Sequence, residues 1–231
     1  VHLELVDLLR CPRPHPATWL VAAADRMEGR HVIEGSLGCP ICETVYPIRD
    51  GVAELVAPDA VSAASAPGAS AADAAPPAPV DDVLRVAAML DLADPGGVVL
   101  LVGAWGDYAH AIAALVDAHV LVVDPLRPVP MHAAVSVVHT GGAAIVPLAQ
   151  GAVRSAAADR PAAVVAAIRS GGRLVAASGA TRPAGVRELA RDAQHWVGVV
   201  DAPGSPPVAL RRAVTPASAA PSPSGHPRTP P

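Results

Sequence analysis

Val98-Val-Leu-Leu-Val-Gly-Ala-Trp-Gly-Asp107 decides the fold class of this chain. Val98 to Val102 is an unbroken aliphatic run with no polar alternation, the pattern of a strand buried on both faces of a parallel sheet. Gly103 follows where a strand would leave the sheet, and a helix is predicted from about Asp107 to Ala118. Outward from there the pattern repeats. Asp81 or Asp82 can cap a preceding helix that Pro95-Gly96-Gly97 ends. His119 to Asp124 reads as the next strand, and Ala143 to Leu148 and Ala152 to Ala157 as weaker ones. Pro161 suits the first turn of a short helix ending at Gly171-Gly172. Arg173 to Ala177 is predicted as strand, Pro183 to Asp192 as helix and His195 to Val200 as strand, with Val208 to Val214 returning antiparallel. Strands alternating with helices argue for an open α/β sheet, Rossmann-like in arrangement.

In such sheets ligands bind beyond the carboxyl ends of the strands, where the strand order reverses. Gly103, Gly106 and Asp124 fall there as candidate cofactor-binding residues. A glycine after a buried strand lets backbone approach a ligand, and an acid about 20 residues later can bond ribose hydroxyls. The structural alternatives are tight strand-to-helix packing for the two glycines and a turn-capping acid before Pro125 for Asp124. His132 and His139 lie in a loop punctuated by Pro and Gly from which a side chain could face the crevice, though a surface position is the preferred reading, and His110 and His119 read as surface or packing residues. No set of residues forms a catalytic constellation.

Upstream, all three cysteines lie between residues 11 and 42. Cys39-Pro-Ile-Cys42 has the spacing of one zinc knuckle, because thiolates two residues apart at a tight turn can point at one ion. Pro14 stands where a second Cys-x-x-Cys would place its partner, which leaves Cys11 with His15 or His31 to complete a Cys₃His set. His15 is preferred because it sits in the Pro-rich turn. Free thiols, or one disulfide, are the alternative. The odd cysteine number and the lack of a basic stretch followed by an apolar one favour a cytosolic metal site. Val45, Tyr46 and Ile48 form a strand, Asp50-Gly51 a turn and Val52 to Val56 a returning strand.

Composition narrows the rest. The hydrophobic fraction is 52%, much of it alanine, and there is no Phe, so the core is expected to be aliphatic. No apolar run approaches the roughly 20 residues needed to span a membrane, so a soluble, cytoplasmic protein is expected. Every basic residue is Arg, which excludes Schiff-base chemistry and a phosphate-binding Lys. With a net charge of −4 and no Arg cluster, nucleic-acid binding is not indicated. Residues 57–80 and 215–231, rich in Ala, Pro and Ser, read as a flexible linker and tail. The expected domains are thus a β-rich ribbon over 1–56 and an α/β domain over 81–214.

The run Leu5-Val-Asp-Leu-Leu-Arg-Cys-Pro12, then Gly38-Cys-Pro-Ile-Cys42 and Tyr46-Pro-Ile-Arg-Asp-Gly-Val52, resembles the zinc-ribbon family of small tRNA-methyltransferase-activating subunits and their YcaR-like bacterial relatives. The resemblance covers about residues 3 to 56. Where that family has its second cysteine this chain has Pro14, with His15 beside it. The resemblance implies zinc and a methyltransferase or translation-related partner. Residues 82 to 214 resemble class I S-adenosylmethionine-dependent methyltransferases, through Val99 to Gly106, Asp124 and Arg169-Ser-Gly-Gly-Arg-Leu-Val175. That resemblance implies S-adenosylmethionine as cofactor. Yet the Gly-x-Gly-x-Gly loop it calls for reads Gly103, Trp105 and Asp107. An indole is expected to occupy cofactor space, and Asp107 sets a carboxylate beside the cofactor's own.

The functional expectation is a methyltransferase-like protein with an in-cis zinc ribbon, non-catalytic or weakly catalytic, that acts through partner binding. One alternative is an active methyltransferase for a translation-related acceptor. Another is an activator subunit whose ribbon edge strand pairs with a separate methyltransferase.

Overall fold

A computed structural model describes residues 1–56 and 79–201 of the 231-residue chain. The linker and tail expected at 57–80 and 215–231, and the returning strand expected at Val208 to Val214, lie wholly or almost wholly outside the described residues. The N-terminal part opens with a one-turn helix, α1 (Leu3–Val6), and continues into an antiparallel meander. Its strands are β1 (Val21–Glu28), β2 (His31–Gly38), β3 (Val45–Arg49) and β4 (Val52–Glu54). Asp50 and Gly51, at φ 49° and 77°, make the two-residue β3–β4 turn, in the left-handed region that a tight hairpin requires.

Beyond the linker come α2 (Val80–Met89), β5 (Val98–Val102), a 3₁₀ segment (Gly103–Tyr108) and α3 (Ala109–Leu115). Six strands follow: β6 (His119–Val123), β7 (Val135–His139), β8 (Val153–Ala158), β9 (Ile168–Ala177), β10 (Val186–Arg191) and β11 (His195–Val200). All of them join one eleven-stranded mixed sheet in the order β1-β2-β3-β4-β7-β6-β5-β8-β9-β11-β10. Along that order every neighbouring pair from β4 to β9 is parallel, and β11 runs antiparallel to both β9 and β10. The order reverses at β5, between β6 and β8, as in open sheets that carry a ligand crevice.

The two faces of β5 separate two cores. Val99 and Leu101 point to a cluster with Val83 and Val86 of α2, Ile112 of α3 and Trp105. Val98, Leu100 and Val102 point the other way, into a cluster that includes Leu5, Val6 and Leu9 of the ribbon and Val146, Val164 and Ala167 of the connections. Alternation along a strand sends successive side chains to opposite faces, so a run with no polar member must be covered twice. Helices α2 and α3 cover one face. On the other face the N-terminal segment and irregular connections stand where crossover helices were expected, tied in by Arg10 N–H to Pro147 O (2.8 Å) and Ala149 N–H to Leu8 O (2.8 Å).

Several expected elements differ. Pro183 to Asp192 is not a helix: Gly185 turns the chain at φ 76° and Val186–Arg191 pairs with β11. Arg, Glu, Leu and Ala favour a helix, but burial of Val186 and a ladder with β11 override that weak preference. Gly171-Gly172 does not end a helix. Pro161 starts only a 3₁₀ turn, β9 begins at Ile168, and the two glycines form a bulge where pairing jumps from Val153–Ile168 to Ser155–Arg173. A Cβ on Gly172 would meet Arg154 O at 2.4 Å. The helix expected from Asp107 is shorter, Ala109–Leu115, and Ala143 to Leu148 forms no strand beyond the single Leu9–Leu148 bridge. No helix among the described residues is long and apolar enough to cross a membrane.

Candidate metal centre and cofactor crevice

The knuckle at the end of β2 closes through Cys39 N–H to Thr44 O (2.9 Å) and Glu43 N–H to Cys39 O (3.0 Å), with Glu43 at φ 56°. Opposite it, Cys11 N–H bonds to Thr18 O (3.1 Å), pinching residues 11–18 into a loop whose three prolines limit its freedom. The two turns bring Cys11, His15, Cys39 and Cys42 together, with one donor atom from each within 4.8 Å of the others. Cys11 and Cys42 Sγ are 3.7 Å apart, and His15 Nε2 lies 3.4 Å from Cys39 Sγ. A tetrahedron with Zn–S near 2.3 Å and Zn–N near 2.05 Å has edges of about 3.8 Å (S–S) and about 3.6 Å (S–N). A disulfide would need sulfurs about 2.05 Å apart. Donor types and spacing therefore fit zinc.

The surroundings prepare these donors. His15 Nδ1 is 2.8 Å from Pro16 O, so its N–H donates there and the Nε2 lone pair faces the sulfurs. That carbonyl also raises the imidazole's pKa. Tyr46, fully buried, places its hydroxyl 3.3 Å from Cys11 Sγ. Burial pushes the Tyr46 phenol and the Cys11 thiol up. Cys42 moves the other way, to about 6, because the Thr44 hydroxyl and backbone stabilise its thiolate. His31, the other candidate for the fourth position, is elsewhere: it is buried, and its Nε2 lies 3.2 Å from Val135 O. Tyr46 was legible only as a strand residue; its hydroxyl's role at the cluster follows from the β2–β3 pairing of Leu37 with Tyr46.

Beyond the carboxyl ends of β5, β6 and β8 the groups bond to one another. Gly103, at φ 69°, sits under the Asp159 carboxylate, which would meet an added Cβ at 2.0 Å. Asp159 Oδ2 accepts from Ala104 N–H at 2.8 Å. Gly106 packs against Val122 and Pro125, 3.0 and 3.1 Å from where a Cβ would stand. Asp124, at φ 46°, turns into the loop after β7. It accepts from Thr140 N–H (2.6 Å), the Thr140 hydroxyl and Gly142 N–H (3.1 Å), and Arg160 stands 3.7 Å away. Arg160 also donates to Gly142 O and Ala143 O. Asp107 pairs with Arg127 at 2.9 Å.

Trp105 differs from expectation: instead of filling cofactor space it is buried in the helical-side core, its ring 5.9 Å from Tyr108 and 5.1 Å from His195. His132 and His139 sit apart from this crevice. His132 meets His110 at 5.5 Å, and His139 ends β7 opposite Glu54. Cavities of about 490, 390 and 410 Å³ open elsewhere, and none of these three is lined by Gly103, Gly106 or Asp124. The residues at this crevice do not fit S-adenosylmethionine as they stand: the loop amide at Ala104 and both Asp124 oxygens are already engaged. Asp159 and Arg160 were not picked out from the sequence, although an acid and a base directly after a buried strand at the order reversal are a usable signal.

Residues 2–51 match the family described as Trm112p-like protein, in agreement with the resemblance of the ribbon. Among solved structures, a geranyl diphosphate methyltransferase in complex with SAM is similar at TM-score 0.33 and 16% identity, over 42% of this chain and 48% of that one. The chain thus spans about half the length of that structure. No curated protein matches it.

Proposed function

We propose that this protein is a methyltransferase-like scaffold carrying a Trm112p-like zinc ribbon in cis, and that it works by binding partners and not by transferring methyl groups. The observation that carries this reading is the β4–β7 pair, with Val52, Ala53 and Glu54 in parallel register with Val137, Val138 and His139. A ribbon acting on a separate subunit would offer that edge by β-augmentation. Here the chain's own sheet takes it, which counts against the activator alternative through this edge.

Strand order and orientation support the methyltransferase-type part of the reading. Counting from β5, the order is 3-2-1-4-5-7-6, with an antiparallel seventh strand. On this reading the domains are a ribbon over 1–56 and a methyltransferase-type part over 81–214. Cys11, His15, Cys39 and Cys42 would hold the zinc, which fixes the fold of the ribbon by tying the 11–18 loop to the β2–β3 turn.

The crevice supports the non-catalytic part. Gly103, Gly106 and Asp124, the cofactor residues of the alternative enzyme reading, serve packing and internal hydrogen bonds. Partner binding is supported by exposed apolar side chains on the ribbon, Trp19, Val21, Ile41 and Val45, of which Val21 and Val45 flank Gly38 in register.

Calorimetry with S-adenosylmethionine on zinc-loaded protein tests the reading. No heat at low-micromolar ligand is expected, and saturable binding there would restore the enzyme.

A further inference from the structure

A second set of metal-ligating side chains lies away from the ribbon's cysteines. His2, Glu4 and His119 each present one ligand atom, all within 4.8 Å of one another. His2 caps α1, Glu4 lies within it, and His119 is the first residue of β6, so two of the three come from the ribbon segment and one from the parallel strands.

Each is held in place by contacts that leave a donor available. His2 is buried, with its backbone amide bonded to Ser136 Oγ at 2.8 Å and its ring 5.1 Å from His31. The His2 and His119 rings are 4.4 Å apart. Arg30 takes Glu4 Oε1 at 2.7 Å, leaving Oε2 turned towards His119 Nε2 at 3.7 Å. That separation is too long for a hydrogen bond and close to the edge of about 3.4 Å between nitrogen and oxygen donors on one tetrahedral ion. Nδ1 of His119 is buried with no hydrogen-bond partner among the described residues. Nδ1 of His2 accepts only a long 3.3 Å bond from the Glu4 amide.

We propose that His2, Glu4 and His119 form a second divalent-metal site, with two imidazoles and one carboxylate, that clamps the ribbon to the amino end of β6. Two nitrogens and an oxygen suit zinc or a similar borderline ion, and Glu4, exposed, leaves further coordination positions to water. The site shares no residue with the cysteine cluster, so it stands or falls independently of zinc in the ribbon.

The test is Co²⁺ titration of the untagged, metal-stripped full chain, followed by absorption and by metal analysis after desalting. Two equivalents are expected. One gives the intense near-ultraviolet sulfur-to-metal charge transfer of a thiolate site; the other gives only weak visible bands. Glu4→Gln and His119→Gln each lose the second equivalent and keep the charge-transfer band, which itself reports a folded ribbon. Saturation of the wild type at one equivalent that carries the charge-transfer band, or the weak-band equivalent retained in both Glu4→Gln and His119→Gln, overturns the proposal.

Discussion

Ala53 of the ribbon stands opposite Val138 of the parallel sheet, and the next ribbon residue but one, Leu55, donates its amide to His139 O at 2.7 Å. Both Ala53 and Val138 are buried, so the junction is a hydrogen-bonded ladder inside the core and not a contact between two surfaces. A seam of that kind predicts shared unfolding. Leu55→Pro removes the bond to His139 and a side chain only 1% exposed, a loss of about 3–5 kcal/mol. Urea unfolding followed by Trp fluorescence is expected to shift to a lower midpoint. A midpoint unchanged from wild type would mean that the ribbon and the sheet do not share this ladder.

Stripping the metal tests the ribbon. Chelation is expected to lower the melting temperature and expose the amides of β2 and β3 to hydrogen exchange, and Cys39→Ser to do the same with little further response to chelator. Acid acts in the same direction, because protonated thiols release the ion. Equal exchange protection with and without chelator would contradict the assignment.

Tyr46→Phe isolates the hydroxyl that faces Cys11. Its loss removes the side-chain donor to the thiolate and leaves the Arg13 backbone, and a drop of about 10–100-fold in zinc affinity is expected, with the aromatic ring still filling the core. Competition with a chromophoric chelator measures it; an unchanged affinity would reduce Tyr46 to a packing residue.

Asp124→Asn separates a structural acid from a cofactor ligand. Weaker bonds to the Thr140 hydroxyl, Gly142 and Arg160 predict a loss of about 1–3 kcal/mol in stability. The variant is expected to leave the calorimetric response to S-adenosylmethionine as flat as that of the wild type. A stability equal to wild type would show that these bonds contribute nothing net.

A histidine pair gives the protein a pH response. Burial, and then the nearby His132 ring, hold the His110 pKa below its ordinary value, against the opposing pull of Pro130 O. The folded state thus binds a proton less readily than the unfolded chain. This contribution is fully present above about pH 6.5 and is lost as pH falls towards the folded-state value. Melting temperatures between about pH 7 and about pH 5 are expected to fall less steeply in His110→Gln than in wild type; parallel curves would remove His110 as the cause.

Much of the candidate metal cluster was legible in the residues because its donors are local. Cys39 and Cys42 lie on one turn, and Pro12, Pro14 and Pro16 hold His15 near Cys11. The choice of His15 over His31 needed the third dimension only to show that His31 faces Val135. The crevice was less legible. Gly103 and Asp124 sit at the expected strand ends, but what fills the space is Asp159, brought over Gly103 because β8 lies beside β5.

Elements whose signal is contained within a few residues were legible in the chain alone: the aliphatic runs of β5 and β6, the knuckle and the Asp50-Gly51 hairpin. Only the fold settled that Val186–Arg191 is a strand, that the ribbon's last strand extends the parallel sheet, and that Trp105 packs into the helical-side core. Those outcomes depend on which neighbour buries a face or accepts a hydrogen bond, and partners distant along the chain leave no periodicity in the residues they meet.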